Sequence, residues 1–231
     1  MTGAPRRRVL VTGSNRGIGL ELVQQYAHAG YEVIATCRDP DGATALHGID
    51  GVTVRRLDVT SEPDLARVVS ELDGAPIDIL IGNAAVFGGT RSRFADVDWS
   101  AWQATFEVNV LGAIRVATTL WPNVAASEQH KIVFLSSRAG LPREATTNRS
   151  YIYGSSKAAL NAAARCLALD LAGVGVIAAL LNPGHVQTRI GGMNAPMTPP
   201  ESVTKMRAVI AALTAEDAGK FLHFDGSELK L

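Results

Sequence analysis

The sequence of 231 residues has no net charge, few cysteines and no long apolar run. Lys plus Arg and Asp plus Glu number 22 each, so the formal net charge at neutral pH is zero. The chain therefore has no strong field of one sign with which to attract nucleic acid or an anionic membrane surface. It also has no run of about 18 apolar residues, the length that a membrane-spanning helix needs. We predict a small-molecule partner, with neither nucleic acid nor a membrane involved.

The two cysteines, Cys37 and Cys166, lie far apart in segments that resemble a strand end and a helix. This arrangement favours reduced thiols in a reducing compartment, and packing roles rather than nucleophilic ones. The first ten residues, MTGAPRRRVL, are basic but lead straight into a strand-like segment, without the apolar stretch and cleavage site of a secretory signal. We therefore predict a cytoplasmic protein, and we predict no metal site.

Short β-branched segments alternate with segments of helical periodicity along most of the chain. The first cycle is RRVLVTG followed by GIGLELVQQYAHAG. The same alternation predicts helices over 98–126 and 151–172, a sixth strand in GVGVIAALLNPG and a seventh in KFLHFDG. Because the strands are apolar almost throughout, helices must cover both faces of the sheet. The pattern predicts a single domain over 1–231, an α/β doubly wound parallel sheet of about seven strands, which is a Rossmann fold.

A less regular stretch, TRIGGMNAPMTPPESV, follows the sixth strand. Prolines at 196, 199 and 200 are expected to break any helix there. Because a long loop in a compact domain is usually a lid or a binding element, we predict a substrate loop near 189–204.

A glycine-rich turn separates the first strand from the first helix. Gly13, Gly17 and Gly19 leave room for a sharp turn and for close approach of a diphosphate, which the helix amino terminus then faces. The spacing, TGxxxGxG, is a weak signal alone, and an ordinary strand-to-helix turn is the alternative. The whole turn is predicted to contact a dinucleotide: Gly13, Ser14, Asn15, Arg16, Gly17, Ile18 and Gly19.

The end of the second strand, ATCRDP, indicates which dinucleotide is bound. An acidic residue at this tip would bind a ribose 2′-hydroxyl, but none is there. Arg38 is placed to pair with a 2′-phosphate, and Arg16 can reach the same group, so NADP(H) is favoured while NAD remains possible. The alternatives are that both arginines are solvated surface charges, or that Asp39 pairs with Arg38.

Seven short motifs occur in a characteristic order: TGSNRGIG at 12–19, LDV at 57–59, GNAA at 82–85, Asn109, SSRAG at 136–140, YGSSK at 153–157 and NPGHVQT at 182–188. This set resembles the short-chain dehydrogenase/reductase superfamily over nearly the whole chain. Within it, IDILIGNAAVFG, GGMNAPMTPPESV and GKFLHFDG are similar to the C-factor and sniffer-type carbonyl reductases.

Tyr153 and Lys157 are four residues apart and therefore share one face of a helix, whereas Tyr151 has no such partner. A tyrosine has an ordinary pKa near 10 and exchanges protons poorly at neutral pH. We expect the nearby Lys157 ammonium to stabilise the phenolate and to lower the pKa of Tyr153.

The resemblance implies a catalytic set. Tyr153 would donate a proton to the substrate carbonyl oxygen, and Ser137, rather than Ser136, would hold that oxygen. Lys157 would also bind the nicotinamide ribose, and Asn109 would support a water-linked proton path behind the lysine. A serine at a strand end is more often a turn former, so these roles depend on the combination of motifs.

The resemblance also implies further cofactor contacts. Asp58 and Val59 would lie beside the adenine. The adenosine ribose would be contacted by Asn83, Ala84 and Ala85. The nicotinamide would be surrounded by Pro183, Gly184, Val186 and Thr188. The connection RAGLPREATTNRSYI is predicted to shape the substrate mouth with Arg138, Arg143 and Arg149, although charged loop residues are often simply solvated.

The resemblance implies an NADP(H)-dependent oxidoreductase acting between a carbonyl and an alcohol. The alternative is a dinucleotide-binding signalling or redox-sensing protein with little turnover, and epimerase or dehydratase chemistry also uses this fold. The predicted helices over 98–126 and 151–172 are rich in alanine and leucine. The resemblance implies that these helices pair between subunits in a homodimer or homotetramer, and the alternative is that they bury only their own core faces.

Overall fold

The computed structural model describes residues 6–89, 96–141 and 151–231. Its centre is one parallel sheet of seven strands: β1 (Arg8–Thr12), β2 (Glu32–Cys37), β3 (Val52–Arg56), β4 (Ile79–Gly82), β5 (Lys131–Leu135), β6 (Ile177–Asn182) and β7 (Phe221–His223). The strand order is β3-β2-β1-β4-β5-β6-β7, and every neighbouring pair is parallel. The predicted doubly wound α/β sheet is confirmed, while its organisation as a single domain stays a prediction.

Six α-helices flank the sheet in the described part of the chain: α1 (Gly17–His28), α2 (Glu62–Leu72), α3 (Trp99–Phe106), α4 (Ala113–Ala125), α5 (Tyr151–Ala172) and α6 (Pro199–Ala212). Short 3₁₀ turns occur at Thr44–Leu46, Arg138–Gly140 and Ala215–Asp217. None of the helices in the described ranges combines the length and the apolar character needed to cross a membrane.

Alternating side chains of the strands build a separate core on each face of the sheet. In β1, Leu10 packs with residues of α2, α4 and α5, whereas Val9 and Val11 pack with residues of α1 and α6. In β5, Ile132 packs in the same core as Leu10, and Val133 packs in the same core as Val9 and Val11. Because both faces are covered, the strands carry apolar residues at successive positions, as in other parallel sheets.

Helix α6 begins with the two prolines that were expected to prevent a helix. Pro199 and Pro200 occupy its first turn, after Thr198, whose side chain accepts a hydrogen bond from the Glu201 N–H in a capping box. Proline is tolerated there because the first-turn N–H groups have no intrahelical partner. The predicted break at 199 and 200 is therefore wrong, and the irregular segment ends at Thr198.

The single helix predicted over 98–126 is also corrected by the structure. A π-helical segment, Glu107–Gly112, joins α3 to α4. A Cβ atom at Gly112 would lie 2.7 Å from a methyl carbon of Val59, so glycine permits this close packing. The segment contains Asn109, which is buried. Single π turns of this kind often occur at functional sites.

The parallel strands bring the predicted site residues to one edge of the sheet. Gly13 follows β1, Arg38 follows β2, Asn83 follows β4, Ser137 lies just beyond β5, and Pro183 follows β6. In open α/β sheets, ligands bind at this carboxyl edge, near the point where the strand order reverses. That point lies here between β1 and β4.

Candidate active site

Tyr153 and Ser137 meet at the carboxyl edge of β5. A hydrogen bond joins their side chains. Ser137 precedes a 3₁₀ turn, and its hydroxyl accepts a hydrogen bond from the Ala139 N–H at 3.1 Å. This turn fixes the serine, while α5 carries the tyrosine, so two hydroxyl groups from separate elements lie together.

Lys157 lies one turn further along α5 and is only 3% exposed. Its Nζ donates to the Leu135 carbonyl at 2.8 Å, at the end of β5. It lies 5.8 Å from the centre of the Tyr153 ring. The amine is therefore held behind the phenol by the strand backbone. Tyr151, by contrast, is 49% exposed, and the choice of Tyr153 over Tyr151 stays a prediction.

Burial controls the protonation of both groups. It raises the pKa of Tyr153 to about 12, and the hydrogen bond from Ser137 offsets only part of that rise. Burial also lowers the pKa of Lys157 to about 8. The predicted fall in the pKa of the Tyr153 phenol is wrong for this structure, because the cost of burying the phenolate raises that pKa. At neutral pH the phenol carries its proton.

Asn109 holds the loop after β4 against α5. Its Oδ1 accepts from the Val86 N–H at 2.8 Å, and its Nδ2 donates to the Val86 carbonyl at 2.9 Å. The same Nδ2 donates to Ser156 Oγ at 3.0 Å. Both amide hydrogens are thus bonded within the protein, and the predicted part of Asn109 in a water-linked proton path stays a prediction.

Phe87 is a site residue that the sequence analysis missed. Its ring lies against that of Tyr153, with 5.3 Å between centroids and 36° between planes. The next residue, Gly88, has a φ of 79°, and a Cβ atom there would lie 2.3 Å from Thr105 Oγ1. The loop is therefore fixed tightly, and an apolar residue shortly after the GNAA motif was the signal that could have revealed Phe87.

A second polar pair involves Ser136, the residue before Ser137. Ser136 donates to the Asn161 side-chain oxygen, and both residues are buried. Ser136 is therefore bonded to α5 through Asn161, whereas Ser137 is bonded to Tyr153. The choice of Ser137 over Ser136 stays a prediction.

The glycine turn has the geometry that its sequence predicts. Gly13 and Gly17 have φ values of 64° and 55°, a region that disfavours other residues. A Cβ atom at Gly19 would lie 2.4 Å from the Gly13 carbonyl oxygen, and one at Gly13 would lie 2.8 Å from the Ala84 Cα. Side chains at these positions would disrupt the turn.

Helix α1 begins at Gly17 without a capping side chain, and no acidic residue lies in its first turn. The Leu20 N–H donates to the Arg16 carbonyl at 3.2 Å, while the N–H groups at 17–19 precede the first intrahelical bond. Such an end is suited to an anion, and these residues fit the diphosphate of a dinucleotide.

Ser14 and Asn83 brace the turn from within the protein. Ser14 is fully buried, and both its N–H and its hydroxyl donate to the Thr36 carbonyl at 3.0 Å. The Asn83 side chain donates to the carbonyls of Thr12 and Gly13 at 2.8 and 2.9 Å. The side chains of these two predicted cofactor contacts therefore make structural hydrogen bonds. Asn15 and Ile18 are partly exposed in the turn.

Three exposed arginines surround the start of α1: Arg16, Arg38 and Arg189. Burial first, and then the charges of Arg189 and Arg38, lower the pKa of the Arg16 guanidinium. The Asp39 carboxylate accepts a hydrogen bond from the Gly42 N–H at 3.1 Å. Within the described ranges it forms no ion pair with Arg38. Sequence analysis did not identify Arg189, although it directly follows the predicted contact Thr188.

Asp58 and Val59 lie in the connection between β3 and α2. Asp58 Oδ1 accepts from the Thr60 N–H at 3.0 Å and from its hydroxyl at 2.7 Å. Val59 is buried, and its carbonyl accepts from Arg115 at 3.3 Å. One Asp58 oxygen thus stabilises the turn, and the adenine contacts stay predictions.

The segment after β6 folds back towards the glycine turn. Gly184 has a φ of 84°, and a Cβ atom there would lie 2.8 Å from the Phe224 ring. Val186 is buried and forms a parallel bridge with Met197, which closes the loop between them. Pro183 is fixed because its carbonyl accepts from the Ser202 hydroxyl at 2.7 Å.

Part of the predicted substrate mouth lies outside the described residues. Arg143 and Arg149, predicted to shape the substrate mouth, lie outside the described residues, whereas Arg138 begins a 3₁₀ turn. Among the described residues, no group of three or more His, Cys, Asp or Glu side chains is arranged to hold a metal ion.

The sheet and its site define a dinucleotide-binding protein of the Rossmann class. The family model described as short chain dehydrogenase matches residues 7–198. The chain therefore belongs to the short-chain dehydrogenase/reductase family of oxidoreductases, which bind a nicotinamide dinucleotide. The predicted family is confirmed.

Known relatives agree with this assignment. The chain is 38% identical to the C-signal protein of Myxococcus xanthus over 154 residues, which cover 67% of this chain and 92% of that protein. The carbonyl reductase Sniffer of D. melanogaster is 25% identical, with a TM-score of 0.89, over 98% of this chain and 100% of the other. The NADPH-bound carbonyl reductase from chicken fatty liver is 29% identical, with a TM-score of 0.90, over 99% and 100%.

Proposed function

We propose that the protein is an NADP(H)-dependent carbonyl reductase, which transfers a hydride between nicotinamide and a carbonyl or alcohol substrate. The observation that carries the proposal is the hydrogen-bonded pair of Tyr153 and Ser137, with Lys157 behind it, at the same sheet edge as the glycine turn. The similarity to two carbonyl reductases supports the substrate class.

Tyr153 is proposed as the proton donor in reduction. With a pKa raised to about 12, the phenol remains protonated at neutral pH and can give its proton to an oxygen that gains negative charge. Ser137 has one hydroxyl hydrogen, and we propose that it moves from Tyr153 to the substrate oxygen when substrate binds.

Lys157 is proposed to orient the nicotinamide ribose and to supply positive charge behind Tyr153. Its bond to Leu135 fixes the direction of the amine. Bound nicotinamide supplies the hydride. Pro183, Gly184, Val186 and Thr188 are proposed to surround the nicotinamide, because they follow β6 at the same edge of the sheet.

A preference for NADP(H) is supported by the positive charge beside the glycine turn. Arg16 and Arg38 are exposed there, and Arg38 follows the end of β2, where the adenosine 2′ position is bound in this class of fold. Guanidinium groups recognise phosphate through paired, charge-assisted hydrogen bonds. The carbonyl reductase from chicken fatty liver is described with NADPH bound.

A homodimer or homotetramer in the cytoplasm is proposed on two further observations. Leu111 and Leu169, which are 52% and 69% exposed, lie on the long helical segments that the sequence analysis expected to pair between subunits. Cys37 and Cys166 are both free thiols, which suits a reducing compartment. Light scattering on the purified protein distinguishes these oligomers from a monomer.

The decisive experiment compares Tyr153→Phe with the matched control Tyr151→Phe, following NADPH oxidation with aldehydes, ketones and quinones. Loss of the proton donor is expected to lower kcat/KM by roughly 10²–10⁴-fold at unchanged NADPH affinity. The control variant is expected to retain wild-type turnover. Full turnover by Tyr153→Phe, or no NADPH oxidation by the wild type with any of these substrates, would refute the proposal.

A second candidate function is dinucleotide-dependent signalling or redox sensing, which the similarity to C-signal supports. In that case the protein binds NADPH tightly without significant turnover. Measuring NADPH binding by calorimetry beside the turnover assay separates the two functions.

A further inference from the structure

Arg189 occupies a fixed turn at the start of the segment after β6. The preceding residue, Thr188, accepts a hydrogen bond from the Gly191 N–H at its hydroxyl (3.0 Å) and from the Gly192 N–H at its carbonyl (2.8 Å). The backbone on both sides of Arg189 is therefore held in place, while the Arg189 side chain is exposed.

This turn lies directly over the start of α1. A Cβ atom at Gly17, the first residue of α1, would lie 3.4 Å from the Thr188 methyl carbon. Thr188, the residue before Arg189, thus packs against the uncapped end of α1. The Arg189 guanidinium, on a long flexible side chain, can reach an anion bound there.

The charges around this helix end are of one sign. Two other arginines lie close to Arg16. The positive charges of Arg189 and Arg38 disfavour the charged state of the Arg16 guanidinium. In the described parts of the chain, none of the three forms an ion pair with a carboxylate. A bound polyanion would relieve this repulsion, because each guanidinium would then gain an opposite charge.

We propose that Arg189 binds the diphosphate of the cofactor, whereas Arg38 binds the adenosine 2′-phosphate. This inference rests on the proposed function, since it requires a bound dinucleotide. The two assignments follow from position: Arg189 adjoins the start of α1, where the diphosphate of this class of fold lies, and Arg38 follows β2, where the adenosine ribose lies.

The consequence is that the substrate loop itself holds the cofactor. Arg189 is the first residue of the predicted loop, and the Val186–Met197 bridge closes the ten residues between them. Binding of the diphosphate would therefore connect the start of the loop directly to the cofactor. Arg189 acts here as a binding and positioning residue, and no proton transfer is assigned to it.

The experiment measures dissociation constants of NADPH and NADH by calorimetry for three variants. Arg189→Gln is expected to weaken both dinucleotides to a similar extent, by about tenfold, because both contain the diphosphate. Arg38→Gln is expected to weaken NADPH alone. Arg165→Gln, which removes an exposed charge on α5, is the matched control and is expected to bind both as the wild type does.

Arg189→Lys tests whether the charge is responsible, and it is expected to recover part of the lost affinity for both dinucleotides. The inference is overturned if Arg189→Gln, folded as judged by its circular dichroism, binds both dinucleotides like the wild type or loses affinity for NADPH alone. A wild type that binds neither dinucleotide would instead refute the proposed function.

Discussion

Two buried lysines lie at opposite ends of β5 and share much of their chemistry. Lys157 is 3% exposed and donates to the Leu135 carbonyl at the end of the strand. Lys131, at the start of the strand, is 6% exposed and donates to the carbonyls of Ile210 and Ala211 at 2.8 and 2.9 Å. Burial lowers the pKa of both amines.

Their neighbours differ, and this difference separates a structural lysine from a candidate catalytic one. Lys131 meets the last turn of α6, where carbonyl groups lack intrahelical donors and carry partial negative charge. Lys157 lies on the same helix face as Tyr153, whose hydroxyl bonds to Ser137. Burial and a lowered pKa are therefore common to both lysines, whereas only Lys157 lies beside the proposed proton donor at the ligand-binding edge.

Substituting the two lysines in turn is expected to have its largest effect on enzymatic activity. Lys157→Met is expected to lower kcat/KM for NADPH-dependent carbonyl reduction by roughly 10²–10⁴-fold, because it removes the positive charge behind the proposed proton donor. Lys131→Met makes the same chemical change at the other end of the strand and is expected to retain kcat/KM. A comparable loss of activity per folded molecule in both variants would remove the distinction.

The next effect is on stability, and it is expected at the other lysine. Lys131→Met removes the side-chain donor of the Ala211 carbonyl and leaves the Ile210 carbonyl with only the Leu213 N–H at 3.4 Å, so the free energy of unfolding is expected to fall by about 1–3 kcal/mol in urea titrations. Lys230→Met, which removes an exposed amine, is the control and is expected to change it by less than about 0.5 kcal/mol. If Lys131→Met unfolds at the wild-type urea concentration, the capping role of Lys131 is wrong.

Much of this fold could be predicted from the sequence because its determinants are local. The apolar strand segments require cover on both faces, and the turn at 13–19 needs glycine at Gly13 and Gly17, where φ is positive. The Tyr153 and Lys157 spacing likewise places both residues on one helix face. These features follow from residues that are close together in the sequence, so they can be predicted without knowing which side chains are buried.

What could not be predicted depends on contacts between distant segments. Spacing alone did not reveal that burial raises the pKa of Tyr153. The approach of Arg189 to Arg16 depends on how the chain after β6 folds back over α1. The π-helical segment around Asn109 is stabilised by Val86 and Ser156, which lie 23 and 47 residues away in the sequence.

The smallest effect is a difference in pH dependence, which tests the burial of Lys157 without an activity assay. The pKa of Lys157 falls from an ordinary 10.5 to about 8 in the folded protein. Below about pH 8 the folded state bears the full cost of a buried charge. Between pH 8 and 10.5 the unfolded chain binds more protons than the folded chain. The cost of burying the charged amine therefore falls, and the free energy of unfolding rises, as the pH increases.

The free energy of unfolding of the wild type, minus that of Lys157→Met, is therefore expected to increase by about 1 kcal/mol between pH 8 and pH 9. Subtracting the variant cancels the titration of groups that both proteins share. Urea titrations at each pH provide the measurement, with Lys230→Met as the control for losing a surface amine. A difference that is flat or declines over this interval would mean that the Lys157 amine is not buried as a charge, and the two ends of β5 would no longer be comparable.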